Sequence, residues 1–154
     1  MIVSSKSFEN NGTIPLKHTG FGADFSPELT IIDAPNETVS FAIVLDDLDV
    51  PLKKEFNHWI IWNIPKIDII PEGLPKGAQI CEPIRACQGV AWGKNVYRGP
   101  KPPFFIKKEH RYAFKVYALD CLLDISEKAN KKILLDAING HVLAKATIIG
   151  KYKI

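Results

Sequence analysis

Proline and glycine interrupt this chain so often that no long helix fits it. The 154 residues include 11 prolines and 10 glycines, which divide the sequence into short segments. Proline lacks the amide hydrogen that helices and central strands need, and glycine favours turns, so this spacing is typical of proteins built from many short strands. We therefore predict a mostly β fold. Because the sequence contains no repeat and no linker-like change in composition, we expect residues 1–154 to form a single domain.

Apolar runs predict where the strands lie. The predicted strands are Leu29–Asp33, Ser40–Leu45, His58–Ile64, Arg111–Leu119 and one within Ala144–Tyr152. The second and third runs are unbroken, which predicts strands that are buried on both faces. The fourth run alternates, which predicts a strand with one wetter face. Long irregular segments are expected over Ile64–Gln88 and Gly89–Glu109, and loops of that length are usually functional or ordered by packing.

One helix is predicted near the C-terminus. Ser126 is the predicted N-cap, and apolar residues recur at helical spacing from Ala129 until Gly140. The segment His141–Leu143 either extends this helix or begins the last strand, and the pattern leaves both assignments open.

Charge and hydropathy exclude two classes of partner. The net charge is +3, and lysines occur in pairs such as Lys131-Lys132, which we interpret as solvated positions with no nucleic-acid surface. No apolar run is long enough to cross a bilayer, and the first residues lack an apolar segment after a basic start. We therefore expect a cytoplasmic protein without a stable membrane anchor.

The cysteines predict free thiols. Cys81, Cys87 and Cys121 form an odd set without the spacing of a zinc or dithiol motif, so we predict three thiols in a reducing compartment and no metal or other cofactor. A Cys81–Cys87 disulfide is the alternative that the sequence leaves open.

Ionisable residues cluster at the predicted strand ends. Asp46, Asp47 and Asp49 follow one strand, whereas His58 and His110 open two others. If these ends converge, a carboxylate would orient an imidazole and raise its pKa, and the resulting imidazolium would pair with a phosphate or carboxylate. Spacing alone does not exclude the simpler interpretation, in which these are strand-end and turn residues.

Four segments, in this order, together resemble the phosphatidylethanolamine-binding protein family, including its bacterial and archaeal (YbhB/YbcL-like) branch. They are Asp24–Leu29; Asp47–Pro51 with His58–Pro65; Tyr97–Pro103 with His110–Tyr112; and Gly140–Ala144 with Gly150–Tyr152. The second contains the Asp-x-Asp-x-Pro pattern of the family. The resemblance spans nearly the whole chain, and its specificity lies in the order and spacing of the motifs.

The resemblance implies a central antiparallel sheet, a smaller second sheet, one helix in the C-terminal region and an anion pocket at one end of the sheet. His58 and His110 would contact the anion, Asp47 would orient an imidazole and the Gly99-Pro100 turn would form a wall whose backbone N–H groups add donors. The implied ligand-binding residues are Asp47, His58, Pro100, His110, Tyr112, Asp49, Trp59 and Gly99.

Some positions depart from the family pattern. Lys101 stands where a small or sulfur-bearing residue is usual, and Asp24 replaces a more frequent asparagine. Glu109 adjoins an implied anion ligand and is expected to face outward, since an inward carboxylate would repel an anion. We expect these departures to affect ligand preference more than the fold.

The resemblance implies a non-enzymatic protein that binds a phosphate-, acetate- or phosphorylethanolamine-like anion. A regulatory or inhibitory role towards a protein partner, in a kinase pathway or on a serine protease, is also implied, with the Arg98–Phe105 loop as the candidate inhibitory segment. Homodimerisation is implied because prokaryotic members often pair. One alternative is an interaction scaffold with a vestigial pocket, although we expect Trp92, Phe104 and Phe105 to pack the long loops onto the sheet.

The other alternative is a metal-dependent enzyme that uses the two histidines and the carboxylates. It is disfavoured because Asp47 and Asp49 lack a closely spaced histidine partner and because no recognised catalytic motif is present.

Overall fold

The computed structural model describes residues 1–154, which form ten strands, a 3-10 turn and one α-helix. The strands are β1 (Ile2–Ser4), β2 (Gly12–Thr13), β3 (Leu29–Ile32), β4 (Ser40–Asp47), β5 (Phe56–Pro65), β6 (Ile69–Ile70), β7 (Gln79–Ile80), β8 (Ala86–Gln88), β9 (His110–Leu119) and β10 (Val142–Tyr152). The 3-10 turn covers Leu16–His18 and helix α1 covers Lys131–Ile138.

Two sheets organise the molecule. A seven-stranded sheet has the order β2-β10-β9-β4-β5-β8-β7 and is antiparallel except where β2 joins β10 in parallel. A three-stranded sheet has the order β1-β3-β6. The prediction of a mostly β fold with a central sheet, a smaller sheet and one helix near the C-terminus is confirmed.

Each face of the large sheet covers its own apolar cluster. The cluster that faces the small sheet includes Phe41, Ile43 and Trp59, and the cluster beneath helix α1 includes Val44 and Trp62. The central strands β4 and β5 therefore bury both faces, as their unbroken apolar runs predict.

The predicted wetter face of β9 is confirmed, although the difference between the two faces is small. Strand β9 lies between β4 and β10, and of its ten residues only Arg111 is exposed while Lys115 is half-buried. Both residues lie on the face that carries Ala113 and Tyr117, whereas the opposite face is fully buried in the cluster against the small sheet.

The strand and helix ends also differ from the prediction. Strand β4 continues through Asp47, so Asp46 and Asp47 lie within the ladder opposite Ala113 and Tyr112. Strand β5 begins at Phe56, which makes His58 its third residue.

The predicted helix start is wrong. Ser126 begins a turn, in which its hydroxyl accepts a hydrogen bond from the Lys128 N–H, and the true N-cap is Asn130. Val142 belongs to β10, which settles the open assignment in favour of the strand.

The five shortest strands were not predicted. Strands β1, β2, β6, β7 and β8 have two or three residues each, which is too short for any periodicity to appear. Three of them, β6, β7 and β8, lie within the segments expected to be irregular.

All three cysteines are free, as predicted. The interpretation of Lys131 as a solvated position is wrong, since its ammonium contacts the carboxylate of Asp46, which has no exposed surface, at 2.7 Å. Lys115 contacts the same carboxylate at 2.8 Å, and Glu55 accepts hydrogen bonds from both lysines. This four-residue network joins the first turn of α1 to the end of β4 and the middle of β9.

Replacing Glu55 with glutamine is expected to reduce acid sensitivity. The two lysines lower the pKa of Glu55 to about 2, so its contribution to stability is present above its ordinary pKa of 4.5 and is lost as the pH falls towards 2. The group is partly exposed and water screens it, so we expect a loss of about 1 kcal/mol at neutral pH.

Urea unfolding at several pH values measures this difference. The variant and the wild type should converge in stability at the acid end. An equal difference at every pH would contradict an electrostatic origin.

Candidate functional site

A pocket opens where β4, β5 and β9 end at the same edge of the large sheet. Its volume is about 260 Å³. It is lined by Asp47, Val50, Pro51, Lys53, Phe56, His58, Trp92, Lys101, Pro102, Pro103, Ile106, His110 and Tyr112. Four predicted site residues therefore meet here: Asp47, His58, His110 and Tyr112.

A β-bulge places His58 in this pocket. Leu45 pairs with Trp59 and Asp46 pairs with Asn57, so His58 is an extra residue that has no partner on β4. Regular alternation would put His58 on the face of Ile60, beneath α1. The bulge places its ring with Tyr112 instead, at 5.4 Å between centroids.

His58 is held as a neutral imidazole with a defined tautomer. Its Nδ1 lies 2.9 Å from the carbonyl oxygen of Arg98, and a carbonyl only accepts, so Nδ1 carries the proton. The edges of Phe56, Trp92 and Tyr112 enclose the ring. Burial lowers the pKa of His58, which outweighs the opposing effects of the Arg98 carbonyl and Asp47. The expectation of an imidazole whose pKa is raised by a carboxylate is therefore wrong for His58.

His110 pairs with Asp47. The first residue of β9 and the last residue of β4 come together because Asp47 is opposite Tyr112 in the ladder. His110 Nδ1 donates to Asp47 Oδ2 at 2.8 Å, and both side chains are buried. The other ring nitrogen of His110, Nε2, is buried and has no hydrogen-bond partner in the protein.

Tyr112 forms the pocket wall between the two histidines. Its ring stacks near His110, with centroids 6.4 Å apart, and meets His58 edge-on. Burial raises the pKa of Tyr112, and the nearby Asp47 carboxylate raises it further, so the phenol keeps its proton.

Asp49, the second aspartate of the Asp-x-Asp-x-Pro motif, lies outside the pocket. Its carboxylate receives hydrogen bonds from the backbone N–H and guanidinium of Arg111, at 2.9 to 3.0 Å. This arrangement lowers the pKa of Asp49 to about 2 and fixes the loop that follows β4. Asp49 therefore positions the pocket without lining it.

The predicted wall at Gly99-Pro100 lies behind the pocket. The Gly99 N–H donates to Asp24 Oδ1 at 2.7 Å, so it is not available to an anion, and Pro100 has no N–H. A Cβ at position 99 would approach the His18 carbonyl oxygen to 2.0 Å, so only glycine fits. The expectation of backbone donors from this turn is wrong.

Trp59 lies beneath the pocket, in the core. Its indole N–H donates to Gln88 Oε1 at 2.7 Å, and its ring meets Tyr97 edge-on. It packs below the site but does not line it.

Sequence reasoning missed the apolar wall and the cations at the pocket mouth. Phe56 and Ile106 supply apolar surface, and Lys53 and Lys101 bring positive charge to the mouth. The departure at Lys101 from the family pattern was a signal for one of these cations, whereas Phe56 lies two residues before the predicted strand His58–Ile64 and gave no signal.

The expectation that the loop aromatics pack inward is wrong. Phe104 and Phe105 are 77% and 70% exposed, and Leu52 is also fully exposed. Trp92 is 50% exposed, covers one edge of His58 and stacks under the Arg98 guanidinium at 4.1 Å. Trp92 and Ile106 line the pocket, and Leu52, Phe104 and Phe105 adjoin lining residues along the chain; we call these five residues the apolar rim.

Glu109 faces away from the pocket, as expected. Its side chain is exposed and lies 3.6 Å from Lys151 Nζ. The Glu109 carboxylate therefore does not repel an anion at His110.

Another group of donor side chains lies at the opposite end of β9. Ligand atoms of Asp120, Cys121 and His141 all lie within 4.8 Å of one another. His141 and Asp120 already form an exposed hydrogen-bonded pair at 2.8 Å. The group is separate from the pocket.

We expect His58 to titrate below its ordinary pKa of 6.5 and to carry its neutral-form proton on Nδ1. Because its pKa is lowered, the associated stability is present above pH 6.5 and is lost as the pH falls below that value. Two-bond ¹H–¹⁵N NMR spectra across a pH series measure both the tautomer and the pKa. A pKa above 6.5, or an Nε2–H tautomer, would contradict this geometry.

Similar proteins share both the sequence and the fold. A family model described as phosphatidylethanolamine-binding protein matches residues 4–153. A UPF0098 protein of Pyrococcus horikoshii is 41% identical over 150 residues, which cover 97% of this chain and 75% of the relative. A UPF0098 protein of Methanothermobacter thermautotrophicus is 38% identical over 155 residues, which cover 99% of each chain. These names state no enzymatic activity.

Two crystal structures superpose closely. A phosphatidylethanolamine-binding protein homologue from Chlamydia trachomatis has a TM-score of 0.86 and 34% identity, with 99% of this chain and 97% of that chain covered. YbcL of Escherichia coli, described as a member of the mammalian family, has a TM-score of 0.87 and 28% identity, with the same coverage. No helix in this chain has both the length and the apolar character to cross a membrane.

Proposed function

The chain belongs to the phosphatidylethanolamine-binding protein family, and from that premise we propose that its pocket binds a small phosphate- or carboxylate-bearing ligand. The observation that carries the proposal is the buried, unpartnered Nε2 of His110 at the pocket floor. Buried polar atoms in proteins nearly always have a hydrogen-bond partner, so an orphan at the base of an open pocket favours a ligand there.

The size and charge of the pocket favour a small anion. A volume of about 260 Å³ lies below the range of roughly 300–1,000 Å³ that holds drug-sized ligands, so it suits a head group better than an acyl chain. Lys53 and Lys101 at the mouth would attract an anion, and the apolar wall would strengthen each polar contact by excluding water.

Titration with phosphate, acetate and phosphorylethanolamine is expected to give saturable NMR shifts around Asp47, His58 and His110. The double variant His58→Ala/His110→Ala should lose them, because it removes both ring nitrogens that face the ligand. Amide ¹H–¹⁵N spectra measure the effect and also report whether the variant is folded.

A more conservative substitution controls for a folding defect. His110→Gln keeps most of the side-chain volume, and we expect it to weaken phosphate binding on the order of tenfold. Wild-type protein with no saturable shifts at millimolar anion would overturn the proposal and leave the scaffold with a vestigial pocket as the better hypothesis.

We propose as a second function that the apolar rim contacts a protein partner. Two exposed phenylalanines, Phe104 and Phe105, directly follow Pro102-Pro103, whose fixed backbone limits the entropy lost on binding. Exposed aromatic side chains beside cations such as Lys107 suit a protein interface better than a solvated loop. Regulation of a kinase pathway or inhibition of a serine protease would both use such a surface.

The protease form of this proposal has a direct test. Because the loop presents phenylalanine, we expect saturable inhibition of chymotrypsin and little effect on elastase, whose specificity pocket is small. Phe104→Ser/Phe105→Ser should abolish the inhibition, whereas Leu122→Ser, at an exposed apolar site outside the rim, should not. Full activity of trypsin, chymotrypsin and elastase with excess wild-type protein would remove protease inhibition and leave the kinase-pathway role.

A further inference from the structure

The hydrogen-bonding character of His58 places a condition on the ligand. Its Nδ1–H is committed to the Arg98 carbonyl, so in the neutral ring Nε2 has a lone pair and no hydrogen. Phe56, Trp92 and Tyr112 surround the ring and leave little water to solvate a charge. The group that meets His58 Nε2 must therefore donate a hydrogen bond, or His58 must take up a proton in a buried place.

His110 does not remove this condition. Its Nδ1 donates to Asp47, so the imidazolium form would make a neutral ion pair with that carboxylate and present Nε2–H as a donor. The neutral form would present a second lone pair. In either state His58 Nε2 is an acceptor, and the ligand must supply at least one hydrogen.

Burial keeps His58 in that state, and the nearby carboxylates do not outweigh it. Asp47 is paired with His110, and Asp46 is paired with lysines in the network beneath α1. The titratable groups that face the pocket from β4, β9 and the loops are Asp47, His110, Tyr112, Lys53 and Lys101, with the Arg98 guanidinium stacked on Trp92. The Arg98 guanidinium opposes a further positive charge on His58. The Asp47 and Asp46 carboxylates favour such a charge, but both are already paired and burial outweighs them.

We propose that the pocket selects oxyanions that keep a hydroxyl, hydrogen phosphate above all, over anions of the same shape and charge that have none. This inference rests on the anion pocket proposed above and names its ligand class. The hydroxyl donates to His58 Nε2, and the ionised oxygens take the His110 side and the lysines at the mouth. A phosphodiester has no such hydroxyl, and a phosphate monoester keeps one only below its second pKa of about 6.

Inorganic phosphate and sulfate provide a matched test. Both are tetrahedral, and at about pH 8 both are dianions, but phosphate keeps one hydroxyl and sulfate has none. We expect phosphate to bind on the order of ten- to a hundredfold more tightly than sulfate, because bound sulfate would leave the His58 Nε2 lone pair facing another acceptor oxygen. Methyl phosphate, a dianion without a hydroxyl at that pH, should behave like sulfate.

His58→Gln tests whether His58 is the selecting residue. The glutamine amide can turn its N–H towards the ligand. The ratio of phosphate affinity to sulfate affinity should therefore fall to nearly one, while phosphate still binds. His141→Gln makes the same substitution at an exposed histidine at the other end of β9 and should leave the preference unchanged. If His58→Gln does not fold, the ¹⁵N shift of His58 Nε2 in wild-type protein with phosphate still decides, since it should show an unprotonated acceptor.

The outcomes separate the two proposals. An affinity for phosphate well above that for sulfate, with an unprotonated His58 Nε2, supports the selection. Equal binding of the two anions, or a His58 that becomes protonated when phosphate binds, overturns the selection and leaves the anion pocket intact. No saturable binding of either anion overturns the anion pocket and the selection with it.

Discussion

The pocket depends on one extra residue in β5. The bulge between the pairs Leu45–Trp59 and Asp46–Asn57 turns His58 to the face that carries Asp47 and Tyr112. Without it, regular pairing would put His58 opposite Asp46 on the face beneath α1, away from Asp47 and Tyr112. Bulges often re-aim a side chain beside a functional site, and here the bulge brings two histidines from strands that are not neighbours to the same space.

Polar contacts outside the pocket hold its loops in place. Asp24 holds the backbone of Gly99, and the carbonyl of the preceding residue, Arg98, then meets His58 at 2.9 Å. Asp49 likewise holds the backbone of Arg111, next to His110. Residues that resemblance suggested as ligands therefore act one step away, because their polar atoms are already satisfied by the protein. This is how a binding site on loops acquires the rigidity of the sheet.

Patterning and motif order together predicted the fold class, the long central strands and the membership of Asp47, His58, His110 and Tyr112 in one pocket. The apolar runs in β4 and β5 determine burial almost by themselves. The bulge was not predictable, because an added residue in a strand has no periodic signal. The state of His58 was not predictable either, since it depends on three aromatic rings and a carbonyl that reach it from distant segments. Likewise Lys131 was interpreted as solvated because nothing local to the helix reveals the buried Asp46 opposite it.

The adjacent carboxylates of Asp46 and Asp47 show why the two faces of β4 have different roles. Successive residues in a strand point to opposite faces, so the sheet itself separates two like charges that the sequence places side by side. Asp46, together with Glu55, meets two lysines, which balances the charge on the helix face. Asp47 pairs with His110 through Oδ2 and accepts the Asp49 backbone N–H at Oδ1, so its charge acts on the pocket and not on the helix network. With both carboxylates committed, His58 has no free counter-charge, and this is the constraint behind the proposed preference for a ligand that supplies its own hydrogen.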